Sequence, residues 1–271
     1  MKFSVLISIY AQENVEHLNL ALNSLIRQTI KPDQIVLVKD GELTNELNEL
    51  ITSYVGISPE TFTIVSLEEN RGLGVALNEG MVHCRNELIA RMDGDDICHE
   101  KRFEKQLLLF EKNPILDIVG SNIVEFDGSV ENILSKRKMP LSDDEIKRFA
   151  KKRNPFNHVS VMYKKASVID AGGYLDFLGF EDYYLWVRMI LNEAICQNID
   201  DNLVYVRTGS KMFKRRGGWI YAKKELKLLK TFHELAFLNK IEYLTNFGMR
   251  FIVRIAPNFL RKWIYLNFAR K

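Results

Sequence analysis

Several simple classes are excluded by what this chain has little of. Only three cysteines, Cys84, Cys98 and Cys196, occur in 271 residues, far apart, without a C-x-x-C pair and odd in number. No disulfide-stapled scaffold is built that way, and the pattern reads as buried or idle thiols in a reducing cytosol. Six prolines and 15 glycines are too few for a collagen-like rod. Nowhere do about 18 apolar residues follow one another, so no membrane-spanning helix is expected. The apolar N-terminal run that ends at Ile9 is too short for a signal peptide and is followed at once by Gln12 and Glu13. A cytoplasmic protein is expected.

What is present supports a sizeable core. Hydrophobic residues make up 46% of the chain and charged ones 27%, which is not the composition of a disordered segment. The formal charge of +3 conceals an asymmetry, because residues 211–271 contain 15 Lys or Arg against only Glu225, Glu234 and Glu242. That tail therefore carries +12 and the rest of the chain −9. In it Phe247, Met249, Phe251, Ile252, Ile255, Phe259, Trp263 and Phe268 alternate with Arg250, Arg254, Arg261, Lys262 and Arg270. Helices that lie on anionic lipid have this composition, and so does an ordinary amphipathic helix packed on its own domain. Nucleic acid fits less well, since no recognised reader motif accompanies the charge.

Apolar periodicity predicts an α/β fold. Phe3–Ile9, Ile35–Val38, Phe62–Leu67, Leu88–Met92 and Ile118–Phe126 read as strands, with helical patterns between them at Leu18–Ile26, Leu43–Tyr54, Leu73–His83 and Arg102–Glu111. Such alternation implies a parallel sheet covered on both faces. Ser142 and Glu145 have capping-box spacing at the start of a helix to Lys152. Beyond Pro155 come an apolar segment His158–Tyr163, a short helix from Ala166, a helix at Glu181–Leu191, and extended pieces at Ala194–Ile199 and Leu203–Arg207. The one compositional boundary is the basic tail, which gives a main domain over 1–218 and a helical extension over 219–271.

Two acidic clusters carry the chemistry. Asp93, Asp95 and Asp96 follow a buried strand directly, at the carboxyl edge where open α/β sheets bind ligands. Three carboxylates in four residues repel one another unless a cation or solvent screens them, and oxygen ligands suit Mg2+ or Mn2+. A solvated acidic turn opening the next helix gives the same pattern. Glu181 and Asp182 open a helix, where acids are also favoured by the helix dipole alone. Arg71-Gly72-Leu73-Gly74 precedes a helix, so its amides and the Arg71 guanidinium are placed to face a phosphate, although a plain helix-entry turn reads the same way.

Taken in order, Ile7-Ser8-Ile9-Tyr10 with Glu13, Val36–Gly41, Asn70–Gly74, Arg91–Asp96 and Gly179–Asp182 resemble the family 2 glycosyltransferases. The likeness covers residues 1–218 and is strongest to bacterial enzymes of amylovoran-type exopolysaccharide, capsule and O-antigen synthesis. It implies the GT-A fold, a nucleotide-binding, Rossmann-like, mostly parallel sheet flanked by helices. It places Ser8, Tyr10, Glu13 and Asp40 around a uracil base, with Ala11 standing where relatives usually carry Asn. The same likeness sets Asp95 on a Mn2+ or Mg2+ ion, Asp93 on the ribose or the metal, and Gly94 between them. Asp182 becomes the general base beside Glu181, and Arg215 and Arg216 belong to a basic loop over the donor diphosphate, unless they begin the lipid-facing patch.

The implied activity is inverting transfer of a hexose, glucose or galactose, from a UDP-sugar to an undecaprenyl diphosphate-linked saccharide. It would take place at the anionic inner face of the bacterial cytoplasmic membrane. A sugar-1-phosphate nucleotidyltransferase shares the plan, but Tyr10-Ala11-Gln12-Glu13-Asn14 has neither the glycine nor the cation its triphosphate loop needs. A noncatalytic nucleotide-sugar binding module would keep Asp40 and could dispense with Asp182.

Overall fold

The computed structural model of the chain describes residues 1–177, 179–208 and 219–255, with backbone alone over 251–255. Its centre is a nine-stranded sheet. Four strands, β1 (Phe3–Ile9), β2 (Gln34–Lys39), β3 (Phe62–Ser66) and β4 (Leu88–Asp93), run parallel in the order β3-β2-β1-β4. Alternate residues of β1 explain its unbroken apolar run. Phe3, Val5, Ile7 and Ile9 enter one core while Leu6 enters the other, so both faces are buried.

Helices α1 (Val15–Ile26), α2 (Asn45–Ile57) and α3 (Leu73–His83) connect these strands, and α4 (Arg102–Lys112), which follows them, adds Phe103, Leu107 and Phe110 to the core on one face. Asn14 caps α1 by accepting from the His17 N–H at 3.0 Å. Gly80 lets α3 lie close on the sheet, since a Cβ there would meet Leu6 and Val38 side chains at 2.5 Å. The helix boundaries expected for α3 are found at both ends.

Past β4 the sheet becomes mixed. Short β5 (Ile97–Cys98), long β6 (Ile118–Asp127), β7 (Ser129–Arg137), β8 (Met162–Lys164) and β9 (Cys196–Arg207) complete it, and β8 joins β4 antiparallel. The mostly parallel sheet expected from the sequence is found: β1–β4 and the β6–β9 pair are parallel, while β5, β7 and β8 add antiparallel pairings. Strand β7 was not anticipated. It folds back on β6 around Gly128 (φ +70°) and is largely exposed, so it shows no apolar alternation. The two extended pieces expected at 194–207 are one strand, whose register against β6 shifts between Ser121 and Ile123 around the polar Asp200–Asn202 stretch.

Helix α5 (Asp143–Ala150) carries the expected capping box of Ser142 and Glu145. A 3-10 turn (His158–Ser160), α6 (Lys165–Asp170) and α7 (Glu181–Leu191) follow, then α8 (Trp219–Glu234) and α9 (Lys240–Ile255). Leu228, Leu229 and Phe232 of α8 share a cluster with Phe180, Tyr183 and Val187 of the α7 region. Helix α9 is held by its polar side. Glu242 pairs with Lys151 at 2.8 Å, Arg250 with Glu225 at 3.0 Å, and Asn246 donates to the Lys151 carbonyl at 3.0 Å. Of the two readings of this helix, lipid-facing or packed on its own domain, Arg250 follows the second and faces the protein, and Phe247 packs against the α7–α8 cluster. Residues 256–271 of the basic tail lie outside the described residues, as do Arg215 and Arg216.

Candidate active site

Register brings the first parts of the site together. Ser8 is paired with Asp93 across β1–β4 and with Val38 across β1–β2, so the carboxyl ends of three adjacent parallel strands form one rim. The strand order reverses here, with β2 on one side of β1 and β4 on the other, which opens a crevice.

On the β2 side of that rim lies a cavity of about 290 Å³ lined by Tyr10, Ala11, Gln12, Asp40, Gly41 and Asn70. Tyr10 is exposed at its mouth and offers a ring for stacking. Asp40 is buried, and its carboxylate oxygens accept from the Arg71 N–H at 2.7 Å and the Gly72 N–H at 3.0 Å. The two amides expected to face a phosphate therefore point at Asp40 in this structure. Each oxygen retains one further lone pair for a base N–H.

On the β4 side, Asp93, Asp95 and Asp96 bring carboxylate oxygens within 4.8 Å of one another. Burial, then the charges of its neighbours, holds Asp95 above the usual aspartate range and Asp96 well above it. Asp96 accepts from the Arg207 N–H at 2.7 Å, and the Arg207 Nε donates to the Asp95 carbonyl at 3.1 Å. Glu13 belongs to this cluster rather than to the base cavity. Its carboxyl lies over Gly94, where a Cβ would stand 3.4 Å from it, and burial, with Asp95 and Asp93, pushes it up to about 7. Oxygen-only ligands with unbalanced negative charge fit a hard divalent cation.

The second acidic cluster is built differently. Asp182, partly buried, accepts from Asn154 Nδ2 at 2.6 Å and from the Tyr183 N–H at 2.7 Å. Burial raises it above the ordinary aspartate range, while Asn154, the Tyr183 amide, Arg137 and Arg91 oppose the shift. Glu181 accepts from the Gly179 N–H at 2.8 Å and packs beside Gly74 at the start of α3, which ties the two helix entries together. Tyr174 lies between the acidic clusters. Burial, and to a lesser extent the charges of Asp182 and Asp93, raises its hydroxyl, and Asn78 of α3 pins its backbone by hydrogen bonds of 2.7 and 2.8 Å.

Three contributors had no assigned role in the sequence reading. Arg207 braces the Asp95–Asp96 turn, Asn154 orients Asp182, and Arg91 is ion-paired to Asp93. Only Arg91 left a usable signal: a charge inside a buried strand demands a partner, and Asp93, two residues on, shares its face.

This geometry agrees with what comparison with known proteins finds. The Glycosyl transferase family 2 profile matches residues 4–172. The amylovoran biosynthesis glycosyltransferase AmsE of Erwinia amylovora is 40% identical over 263 residues, covering 97% of each chain. An Escherichia coli protein described as UDP-Gal:alpha-D-GlcNAc-diphosphoundecaprenol beta-1,3-galactosyltransferase is 36% identical, over 100% of this chain and 97% of the other. Among solved structures, S. aureus TarS 1-349 in complex with UDP-GlcNAc superposes with a TM-score of 0.66 at 15% identity, over 99% of this chain and 76% of that one. Mannosyltransferase PcManGT from Pyrobaculum calidifontis, in complex with GDP-Man and Mn2+, gives 0.63 at 15% identity, over 99% and 70%. The fold is GT-A, and with a base-sized cavity and an acidic turn on either side of its strand switch, this chain is a glycosyltransferase that belongs to family 2.

Proposed function

We propose that the chain is an inverting, divalent-cation-dependent hexosyltransferase of bacterial surface polysaccharide synthesis. Its donor is a UDP-sugar, galactose or glucose, and its acceptor an undecaprenyl diphosphate-linked saccharide. The observation that carries this reading is the pairing of a self-repelling carboxylate cluster with a separate, hydrogen-bonded Asp182. The names of the E. coli and Erwinia relatives supply the donor, acceptor and pathway class.

In this reading the uracil stacks on Tyr10 in the cavity before Asp40. Asp93 and Asp95 would hold Mn2+ or Mg2+, which when bound offsets charge on the diphosphate as it leaves. Asp182 accepts the proton of the acceptor hydroxyl while that oxygen forms a bond to the anomeric carbon. The bond from that carbon to the UDP oxygen breaks on the opposite side, so one displacement inverts the centre. A carboxylate held above its ordinary range is a better proton acceptor, and Asn154 keeps it oriented. Arg215 and Arg216 are assigned to the loop over the diphosphate. Retention of Asp182 together with the Asp93–Asp96 cluster disfavours a purely binding module.

A membrane-surface location is part of the proposal. No helix among the described residues is long and apolar enough to cross a bilayer. With its polar side docked, α9 turns Ile241, Leu244 and Met249 outward, 77%, 56% and 53% exposed. Helix α8 exposes Trp219 and Ile220 beside Lys223, Lys227 and Lys230. Apolar groups among lysines suit an anionic bilayer surface.

Activity is tested with a UDP-sugar panel, Mn2+ and a synthetic N-acetylhexosamine-diphosphate-lipid. Transfer of a hexose with inverted configuration is expected, and absence of transfer from every UDP-sugar contradicts the reading. For the surface, an Ile241→Glu, Leu244→Glu double variant is expected to lose flotation with anionic vesicles. Wild-type protein that does not float at all would overturn this part.

A further inference from the structure

Within the apolar run of β4, Arg91 is a full charge that is only 2% exposed. One of its terminal nitrogens is paired with Asp93 Oδ1. Its Nε and its other terminal nitrogen have no hydrogen-bond partner. His158, Tyr163 and Tyr174 lie within reach of its charge. His158 shares a 3.1 Å hydrogen bond with the Tyr174 hydroxyl, and Trp186 packs against His158, Tyr163 and Tyr174 with ring centroids 5.9 to 6.4 Å apart. The Trp186 indole nitrogen is buried without a partner as well.

For stability alone this arrangement is a poor one, because a buried guanidinium with unmade hydrogen bonds is expensive. Arg102, the other buried arginine of this region, shows the contrast. All three of its nitrogens have partners, among them Gln106 and the carbonyls of Arg91 and Val161. Arg91 has one strong contact, and that contact is a carboxylate at the rim of the donor site.

We propose that Arg91 is a positioning residue for donor binding. It holds one oxygen of Asp93 back toward the sheet, so that the other faces the crevice, and it adds to Arg207 a second fixed positive charge, buried beneath the acidic cluster. Among the described residues Asp93 is the one carboxylate in ion-pair contact with it, while its charge also reaches Asp95, Asp96 and Asp182. This rests on the assignment of Asp93 to the donor and its cation.

The test is calorimetric titration of UDP with Mn2+ into the wild type, Arg91→Lys and Arg91→Met, with melting temperatures as the folding control and the KM values of donor and acceptor measured separately. Folded Arg91→Lys is expected to bind UDP–Mn2+ about tenfold more weakly, with a donor KM raised to match and an acceptor KM unchanged. Arg91→Met, which keeps the packing and removes the charge, is expected to bind more weakly still. A folded Arg91→Met with wild-type affinity would overturn the inference. If neither variant folds, a crystal structure of the wild type with UDP and Mn2+ decides: the Arg91–Asp93 contact is expected to persist, and its loss in the complex overturns the inference. Failure of the wild type to bind UDP with Mn2+ would instead sink the donor assignment itself, and the inference with it.

Discussion

The two acidic corners of the site use the same side chain for opposite ends. At the end of β4, Asp95 and Asp96 are raised by burial and by one another's neighbourhood, and Glu13 adds a further carboxyl. At the start of α7, Asp182 is raised by burial alone, and every other influence on it is a hydrogen bond or a cation. Mutual repulsion stores a demand for positive charge. Isolation with two good donors stores a demand for one proton at a fixed place. On the proposed assignment, clustering rather than burial is what separates the cation site from the general base in this crevice.

The strongest way to break that contrast is to remove the proton acceptor without disturbing its shape. Asp182→Asn is expected to lower kcat about a thousandfold, within the usual range for a general base, with UDP binding retained. A fall in donor affinity of similar size would show that Asp182 belongs to the donor site. Next comes Asp95→Ala, for which donor binding in the presence of Mn2+ is expected to weaken by about a hundredfold or more, measured by titration, since the cation loses a direct ligand.

A smaller effect is expected from Asn154→Ala. The loss of a hydrogen bond to the charged carboxylate should reduce kcat by about tenfold and raise the Asp182 pKa further, moving the acid limb of the kcat/KM profile to higher pH. An unmoved limb would detach Asn154 from the base.

The smallest effect concerns stability without metal. Burial, then the charges of Asp95 and Asp93, pushes the Glu13 carboxyl up to about 7 from an ordinary 4.5. The folded state therefore binds its proton more tightly, and Glu13 is neutral and harmless at low pH. Its destabilising effect grows as pH rises from 4.5 through 7. Glu13→Gln should accordingly stabilise the metal-free protein at pH 8 by on the order of 2 kcal/mol, allowing for partial exposure, and by little at pH 4.5. Denaturant unfolding at the two pH values measures this, and equal effects at both would remove Glu13 from the cluster.

Much of this was legible in the sequence because burial writes a period. Helix α3 and helix α7 begin and end where the apolar pattern does, and β1, β2 and β4 are apolar because both their faces are covered. Asp93 and Asp95 stood out by following such a strand. What the pattern does not encode is partnership between distant segments. Strand β7 pairs by backbone and exposes its side chains, so it left no alternation. Asp40 is turned to the Arg71 and Gly72 amides 31 and 32 residues away, and Asn154 to Asp182 at a distance of 28. The family resemblance put Glu13 at the base together with Tyr10. The turn closed by its N–H on the Tyr10 carbonyl, at 3.0 Å, carries it to Gly94 instead.

The most direct measurement is a side-by-side titration of UDP, in the presence and absence of Mn2+, into Asp95→Ala and Asp182→Asn. The expected result is wild-type, Mn2+-dependent binding by Asp182→Asn and loss of the Mn2+-dependent component in Asp95→Ala. Mn2+-dependent binding that survives in Asp95→Ala, or vanishes in Asp182→Asn, would contradict the division of labour between the two corners.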